Sequence, residues 1–370
     1  MTTRSIPFFP YSQLFTANEA ELTEVMVDVC RRGAYILQQD CRDFESALAR
    51  FMNVKHAFGL ANGTDAMIIG LKAVGVGAGD EVILPSHTYI ATAAAVHMVG
   101  ATPVLAEIGA DHMLDPADLE KRITPRTKAI MPVQLNGRTC DMDAIGSVAR
   151  RHNLMVVEDA AQGLGSKFNG RSAGTYGKFG TISFYPAKLL GCFGDGGAIV
   201  TNDDEVASQI SLLRDHGRNE AGRVVAWGYN SRLDNLQAAV LNYKMKSFPA
   251  DIERRRAVAA RYQAGLGDLA QLTLPPAPGA DERHHDVYQN YELEADRRDA
   301  LRAHLEANGV RTIIQWAGTP VHQFRELGFT VLLPRTDKFF ERCFMLPMNA
   351  AISDDDVDYI VALIRSFYGS

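Results

Sequence analysis

No two cysteines of this chain stand close together. Cys30, Cys41, Cys140, Cys192 and Cys343 are odd in number, scattered, and form no CxxC pair. That speaks against a disulfide framework and a zinc site, and makes a reducing cytoplasm the expected setting. An excess of positive charge is missing too. Lys and Arg total 38 against 44 Asp and Glu, a net charge of -6, and no long basic run occurs. Nucleic acid and an anionic membrane are therefore not expected as partners. Long apolar runs are absent. The amino terminus, MTTRSIPFFPYSQLF, has no continuous apolar segment of signal-peptide length. YIATAAAVHMVGATPVL is broken by His97 and Gly100 and is too short for a bilayer span. Internal repeats and low-complexity segments are also lacking.

What is present is room and rhythm. A chain of 370 residues can hold one large and one smaller domain. From about residue 55 to 200, short apolar runs (HAFGLA, EVILP, TPVLAEI, KAIMPVQL, LMVVEDA, TISFY, GAIVT) mostly alternate with helical stretches such as TDAMIIGLKAVG, YIATAAAVHMVG and DMDAIGSVARRH. Near-continuous apolar strands between helices predict a mostly parallel sheet covered on both faces, an α/β fold. LDNLQAAVLNYKMKSF reads as an amphipathic helix, and a long helix from about Asp251 to Leu266 leads into the remainder. There DVYQNYELEA predicts a strand, and RRDALRAHLEANGV and DDDVDYIVALIRSFY predict helices. We expect a large α/β domain over 1–248 and a small α+β domain over 249–370.

In open α/β sheets ligands sit beyond the carboxyl ends of the strands. Four segments fall there. In ANGTDAM, Gly63 permits a turn and Thr64 opens a helix, which reads as a plain N-cap or as a phosphate site. In PSHTYIATA, Tyr89 either packs in the core or covers a flat ligand. In VVEDAAQ, Asp159 is either an N-cap or an acid facing a ring nitrogen, with Gln162 one turn on. In SFYPAKLLGCFGDGG, Lys188 stands between a strand stopped by Pro186 and four glycines, where desolvation would lower its pKa and free an amine to attack a carbonyl. A phosphate cradle, a ring cover, an acid for a pyridinium nitrogen and a Schiff-base lysine together describe a pyridoxal phosphate site.

These motifs, with RTKAIMPV, LRDHG, GYNSRLDNLQAAV and LPMNAAISDDDVDYI, are spread along most of the chain. The sequence resembles the pyridoxal-phosphate-dependent sugar aminotransferases of the DegT/DnrJ/EryC1/StrS family, which have the type I, aspartate aminotransferase-like fold. The resemblance implies that Lys188 carries the cofactor as a Schiff base and shuttles the proton, with pyridoxamine phosphate formed midway. It implies that Asp159 pairs with the ring nitrogen, Gln162 meets the ring hydroxyl, Tyr89 stacks on one ring face and Ala161 packs the other. Gly63, Thr64, the Asp65 backbone and Ser183 would hold the phosphate, and Asn230 would reach the phosphate of a neighbouring subunit, so that a homodimer shares its sites.

The same resemblance implies a substrate. A branch with histidine at the lysine position removes a hydroxyl, so Lys188 favours transamination over sugar dehydration. LGCFGDGG resembles members that aminate C3 of a nucleotide-linked keto-deoxysugar, with a 4-keto sugar as the alternative. Glutamate would be the donor and 2-oxoglutarate its product. The expected end use is an amino sugar for surface polysaccharide, such as the O-antigen of lipopolysaccharide, or for a glycosylated metabolite. His216, Trp316 and His322 are candidate substrate residues. Gln315 and Trp316 depart from the family's usual pair, and Leu189 stands where many relatives carry asparagine or proline. His284 and His285 have no third ligand at metal spacing, so no metal is expected. Arg214 and Arg232 read as ion-pair residues rather than diphosphate ligands.

Overall fold

The computed structural model describes residues 4–369. One sheet forms its centre. Its order is His56–Leu60, Gly197–Thr201, Gly180–Ser183, a broken strand (Met155–Val156 and Glu158–Asp159), Thr127–Ile130, Glu81–Pro85 and Thr102–Ala106. A Val133–Asp159 bridge joins its two halves. Only Gly197–Thr201 is antiparallel to its neighbours, so all the other strands end on one edge. Strands such as Glu81–Pro85 and Gly197–Thr201 are buried at every residue, the pattern of a sheet covered on both faces.

Helices supply the cover. Gly63–Ala73 begins at Asn62, whose side chain accepts the Asp65 N–H at 2.8 Å, and its middle, Ala66 to Leu71, is buried. Met142–Arg151 is capped in the same way by Asp141 and buries only one stripe. The expected helix after GYNSRLD is Asn235–Met245, and the long one is Phe248–Leu266. Three helices that the strand-and-helix alternation does not reach, Tyr11–Thr16, Glu19–Arg32 and Gln39–Met52, precede the sheet. No helix among the described residues is long and apolar enough to cross a membrane.

The carboxyl-terminal region packs an antiparallel sheet of Leu272–Thr273, Tyr291–Ala295 and Cys343–Leu346 with helices Arg298–Ala307 and Asp354–Tyr368. Its apolar cluster also takes in Ile6, from the other end of the chain, whose backbone bridges to Val310. The last helix has an acidic start: Ser353 accepts the Asp356 N–H, and three aspartates in the first turn complement the helix dipole.

One strand is shorter than DVYQNYELEA predicts. Only Tyr291–Ala295 is extended ladder. The preceding residues spend their backbone elsewhere. Val287 N–H donates to Gly137 O at 2.8 Å, Tyr288 has φ +52°, and the carbonyls of Tyr288 and Gln289 both accept from Arg255. Gly137, at φ +84°, allows that contact. A Cβ there would stand 2.5 Å from the Gln289 nitrogen.

Candidate active site

The shared strand edge brings the predicted residues together. Gly63 and Thr64 follow the first strand. Ser183 packs against them from the neighbouring segment: a Cβ built on Gly63 would meet the Ser183 Cβ at 3.1 Å. Gly197 closes the same corner. A Cβ there would fall 2.4 Å from the Asn62 carbonyl carbon, so only glycine fits. The result is a helix start with unpaired first-turn amides and two hydroxyl side chains, suited to a phosphate. One expectation changes. The Asp65 N–H is already taken by Asn62 Oδ1. That leaves the start of the helix, Gly63 and Thr64, with Ser183 as the groups at this corner able to meet an anion.

Asp159 ends its strand with 4 % of its surface exposed. Its Oδ2 accepts the Thr92 hydroxyl at 2.7 Å, and its Oδ1 accepts the Ala161 N–H at 3.1 Å. Both donors are neutral. Burial pushes this carboxyl above the ordinary range, with Thr92, Ala161 and the charge of Lys188 pulling the other way. A buried carboxylate served by neutral donors is short of a cation, which a protonated pyridine nitrogen would supply. Thr92, which the sequence reading passed over, is itself held by Thr88 at 2.7 Å. We expect Thr92→Val to slow any reaction that relies on the charge of Asp159 about tenfold, as for loss of one hydrogen bond to a charged group. The acidic limb of the pH profile should move upward, and Thr92→Ser should restore both.

Lys188 lies past the end of its strand, its N–H bonded to Tyr185 O at 2.8 Å. Burial lowers its pKa from 10.5 to about 8, opposed by the charge of Asp159. At pH 7.5 a lysine of pKa 8 is neutral in about a quarter of molecules, against about one in a thousand for an ordinary lysine. The sign is testable. Only the neutral amine attacks a carbonyl, so capture of pyridoxal phosphate by cofactor-free protein should rise tenfold per pH unit below about 8 and level off above it. A profile still climbing at pH 10 would contradict the lowered pKa.

Gln162 has a fixed orientation. Its Oε1 accepts from the Asn136 N–H at 2.9 Å and from Asn290 Nδ2 at 3.3 Å, so its NH2 group is left to donate to a ligand oxygen. Asn136 is held in turn by Glu292, Asn290 and Gln315. Tyr89 is 56 % exposed and stands 5.3 Å, centroid to centroid, from the Trp316 ring. Trp316 and Ala317 both have left-handed backbones, at φ +52° and +53°.

Three candidates do not join this group. His322 is fully buried, with Nδ1 at 2.8 Å from Ser86 Oγ and Nε2 at 2.9 Å from Asp337 Oδ1. With both nitrogens engaged it ties the turn that carries Tyr89 to the segment after Trp316. His216 lies on an exposed hairpin beside Asn230, bridged through Asp215, and neither side chain hydrogen-bonds a residue of the Lys188 group. Arg214 pairs with Glu45, and Arg232 with Asp215 at 2.6 Å, as ion-pair residues.

The sequence profile of the DegT/DnrJ/EryC1/StrS aminotransferase family matches residues 16–365. The chain belongs to this family. It is 39% identical over 371 residues to the dTDP-3-amino-3,4,6-trideoxy-alpha-D-glucose transaminase of Streptomyces venezuelae, covering 99% of this chain and 97% of that protein. It is 40% identical over 339 residues to the UDP-2-acetamido-2-deoxy-3-oxo-D-glucuronate aminotransferase of Pseudomonas aeruginosa, covering 91% and 93%. The crystal structure of S. venezuelae DesV in complex with a ketimine intermediate superposes with a TM-score of 0.95, at 38% identity and 100% of both chains. Solved relatives carry the cofactor in its pyridoxal and pyridoxamine forms. This family member is a pyridoxal-phosphate-dependent sugar aminotransferase of type I fold.

Proposed function

We propose that the enzyme moves an amino group from glutamate to C3 of a nucleotide-linked keto-deoxysugar, working in the cytoplasm as a homodimer with shared sites. The observation that carries this reading is the pairing of a lysine of lowered pKa with a buried, cation-seeking carboxylate on one sheet edge. When bound, pyridoxal phosphate supplies a carbonyl for the incoming amine and an electron-withdrawing ring. The chain does the rest. Gly63, Thr64 and Ser183 anchor the phosphate. Asp159 holds a proton on the ring nitrogen, and Gln162 donates its NH2 to the ring oxygen. Ala161 and Tyr89 confine the ring between them. Lys188 Nζ would take the α-proton of glutamate and hand it, across the intervening nitrogen, to the cofactor carbon that had been the carbonyl carbon, then reverse both moves for the sugar.

Choice of C3 rests on the LGCFGDGG segment and on the two curated relatives, whose names specify a 3-amino or a 3-oxo sugar. Recognition of the hexose falls to the strained turn. Gln315 Oε1 and Trp316 Nε1 are buried without partners, an acceptor in that turn and a donor on the ring beside Tyr89, and both suit sugar hydroxyls. Trp316→Phe should raise the KM for the sugar about tenfold and leave the glutamate half-reaction at the parental rate. A change in the glutamate half-reaction instead would move Trp316 out of the sugar site.

The shared site rests on Asn230 and its hairpin, whose Val224, Val225 and Trp227 are 66 %, 58 % and 98 % exposed, an apolar face suited to a second subunit. His216 would then serve the partner's site with Asn230. Excess glutamate alone should bleach the visible band of the holoenzyme, and a nucleotide-linked 3-keto sugar should restore it. A band that persists in glutamate would mean that glutamate is not the amino donor. Recovery with the 4-keto isomer only would reassign the position.

A further inference from the structure

The lysine segment has little structure of its own. Between the strand Gly180–Ser183 and the strand Gly197–Thr201 there is neither helix nor ladder. Pinning bonds from elsewhere hold it: Lys244 Nζ to Gly191 O at 2.6 Å, and Gln237 Oε1 to the Phe193 N–H at 2.8 Å. The two peptide groups that flank the lysine are held by a single side chain. Gln289 Oε1 accepts the Leu189 N–H at 2.6 Å, and Gln289 Nε2 donates to Ala187 O at 2.8 Å.

Gln289 is well placed for that. It is 5 % exposed, and its amide orientation is settled by having one donor and one acceptor to satisfy. Its backbone is clamped. Arg255, itself buried, donates through Nη1 to Tyr288 O at 3.1 Å, Gln289 O at 3.2 Å and Met348 O at 3.0 Å. On the other side Gly137 presses against it, and Tyr288 holds a left-handed backbone. The next residue, Asn290, reaches Asn136 Oδ1 at 2.8 Å and Gln162 Oε1 at 3.3 Å. One dipeptide thus touches both the lysine segment and the ring-oxygen contact.

We propose that Gln289 is a positioning residue for Lys188: its amide bridges Ala187 and Leu189 and fixes where the amine stands, while Asn290 fixes the NH2 of Gln162 in the same frame. The dipeptide leads into the strand Tyr291–Ala295, so the position of the reacting lysine depends on the carboxyl-terminal sheet as well as on its own strand. Leu189 gains a role by this account. Its amide hydrogen is one half of the bridge, and a proline there would have none to give. The inference rests on Lys188 being the lysine that carries the cofactor, as argued above.

The test uses the full-length holoenzyme and its cofactor-free form. Borohydride reduction of the parent, followed by peptide mapping, first shows which lysine carries the cofactor. Gln289→Met keeps the length of the side chain and removes both bonds, and Gln289→Glu keeps an acceptor for Leu189 and loses the donor to Ala187. For the methionine variant we expect a glutamate half-reaction about tenfold slower at saturation, as for two lost hydrogen bonds. The pH midpoint of the visible band should be displaced. Amide hydrogen exchange across residues 184–192 of the cofactor-free protein should be about tenfold faster. The glutamate variant should fall between parent and methionine, and it carries the test alone if the methionine variant does not fold. Trapping at another lysine would overturn the Lys188 reading and this inference with it. Trapping at Lys188, with parental exchange and pH midpoint in both variants, would overturn the role of Gln289 alone.

Discussion

Lys188→Ala should fold, keep the dimensions of the parent and transfer no amine. The loss follows from two jobs failing together. The cofactor loses its covalent attachment, and the α-proton of glutamate loses its acceptor. Removing a positioned general base alone costs about 10²–10⁴ in rate. We therefore expect single-turnover rates with glutamate to fall by at least that factor, read as persistence of the visible cofactor band in stopped-flow absorbance. Stability should move the other way or not at all. Burial lowers the lysine's pKa to about 8, so the folded protein holds the charged amine less well than the unfolded chain does. That penalty is present at neutral pH and fades as pH rises from 8 toward 10.5. Taking the amine away should leave the Tm of the cofactor-free variant at or above the parent's at pH 7. Lys188→Arg should be as inactive, because a guanidinium stays charged at every pH of interest and cannot attack a carbonyl. Parental turnover in either variant would place the chemistry on another lysine.

How far the sequence shows the site depends on the kind of link involved. Thr64, Tyr89, Asp159 and Lys188 each follow a short apolar strand, and nearly all those strands run the same way, so position along the chain translates directly into position at one edge. The side chains that hold these residues carry no such signal. Gln289 is a hundred residues from Leu189, and Asn290 is 128 from Gln162. Nothing in the spacing or periodicity of VYQNYELEA marks two amides that reach back to the lysine segment and to Gln162. Thr92 was legible in principle, since it sits one helical turn past Thr88, but the pattern reads as helix packing. His322 is the converse case. A histidine near a substrate segment reads as a ligand, and only the buried Ser86 and Asp337 contacts reveal that both nitrogens are already used. The Asp65 amide is a similar case, claimed by the cap that Asn62 provides.

Asp159→Asn separates charge from shape. The asparagine fits where the aspartate was. Its oxygen can accept the Ala161 N–H, and its NH2 can donate to Thr92 Oγ1, which then turns its own hydrogen toward Thr88, 2.7 Å away. The fold should therefore be intact. What is lost is the negative charge that keeps a proton on the ring nitrogen, and with it the stabilisation of charge developing in the transition state, worth about 10²–10³ in rate for a comparable preorganised contact. Both half-reactions should slow by about that factor, with glutamate and with the keto sugar alike, because the same ring serves both. The pH dependence of stability should change as well. Burial raises the Asp159 pKa above its ordinary 3.8, so this residue's contribution is fully present below that value and is lost as pH rises through the raised pKa. The asparagine variant has no such loss. Its cofactor-free form should have a higher Tm than the parent at pH 7 and converge on it toward pH 4, a difference that differential scanning calorimetry would resolve. Parental rates in both half-reactions would take the ring nitrogen away from Asp159, whatever the calorimetry shows.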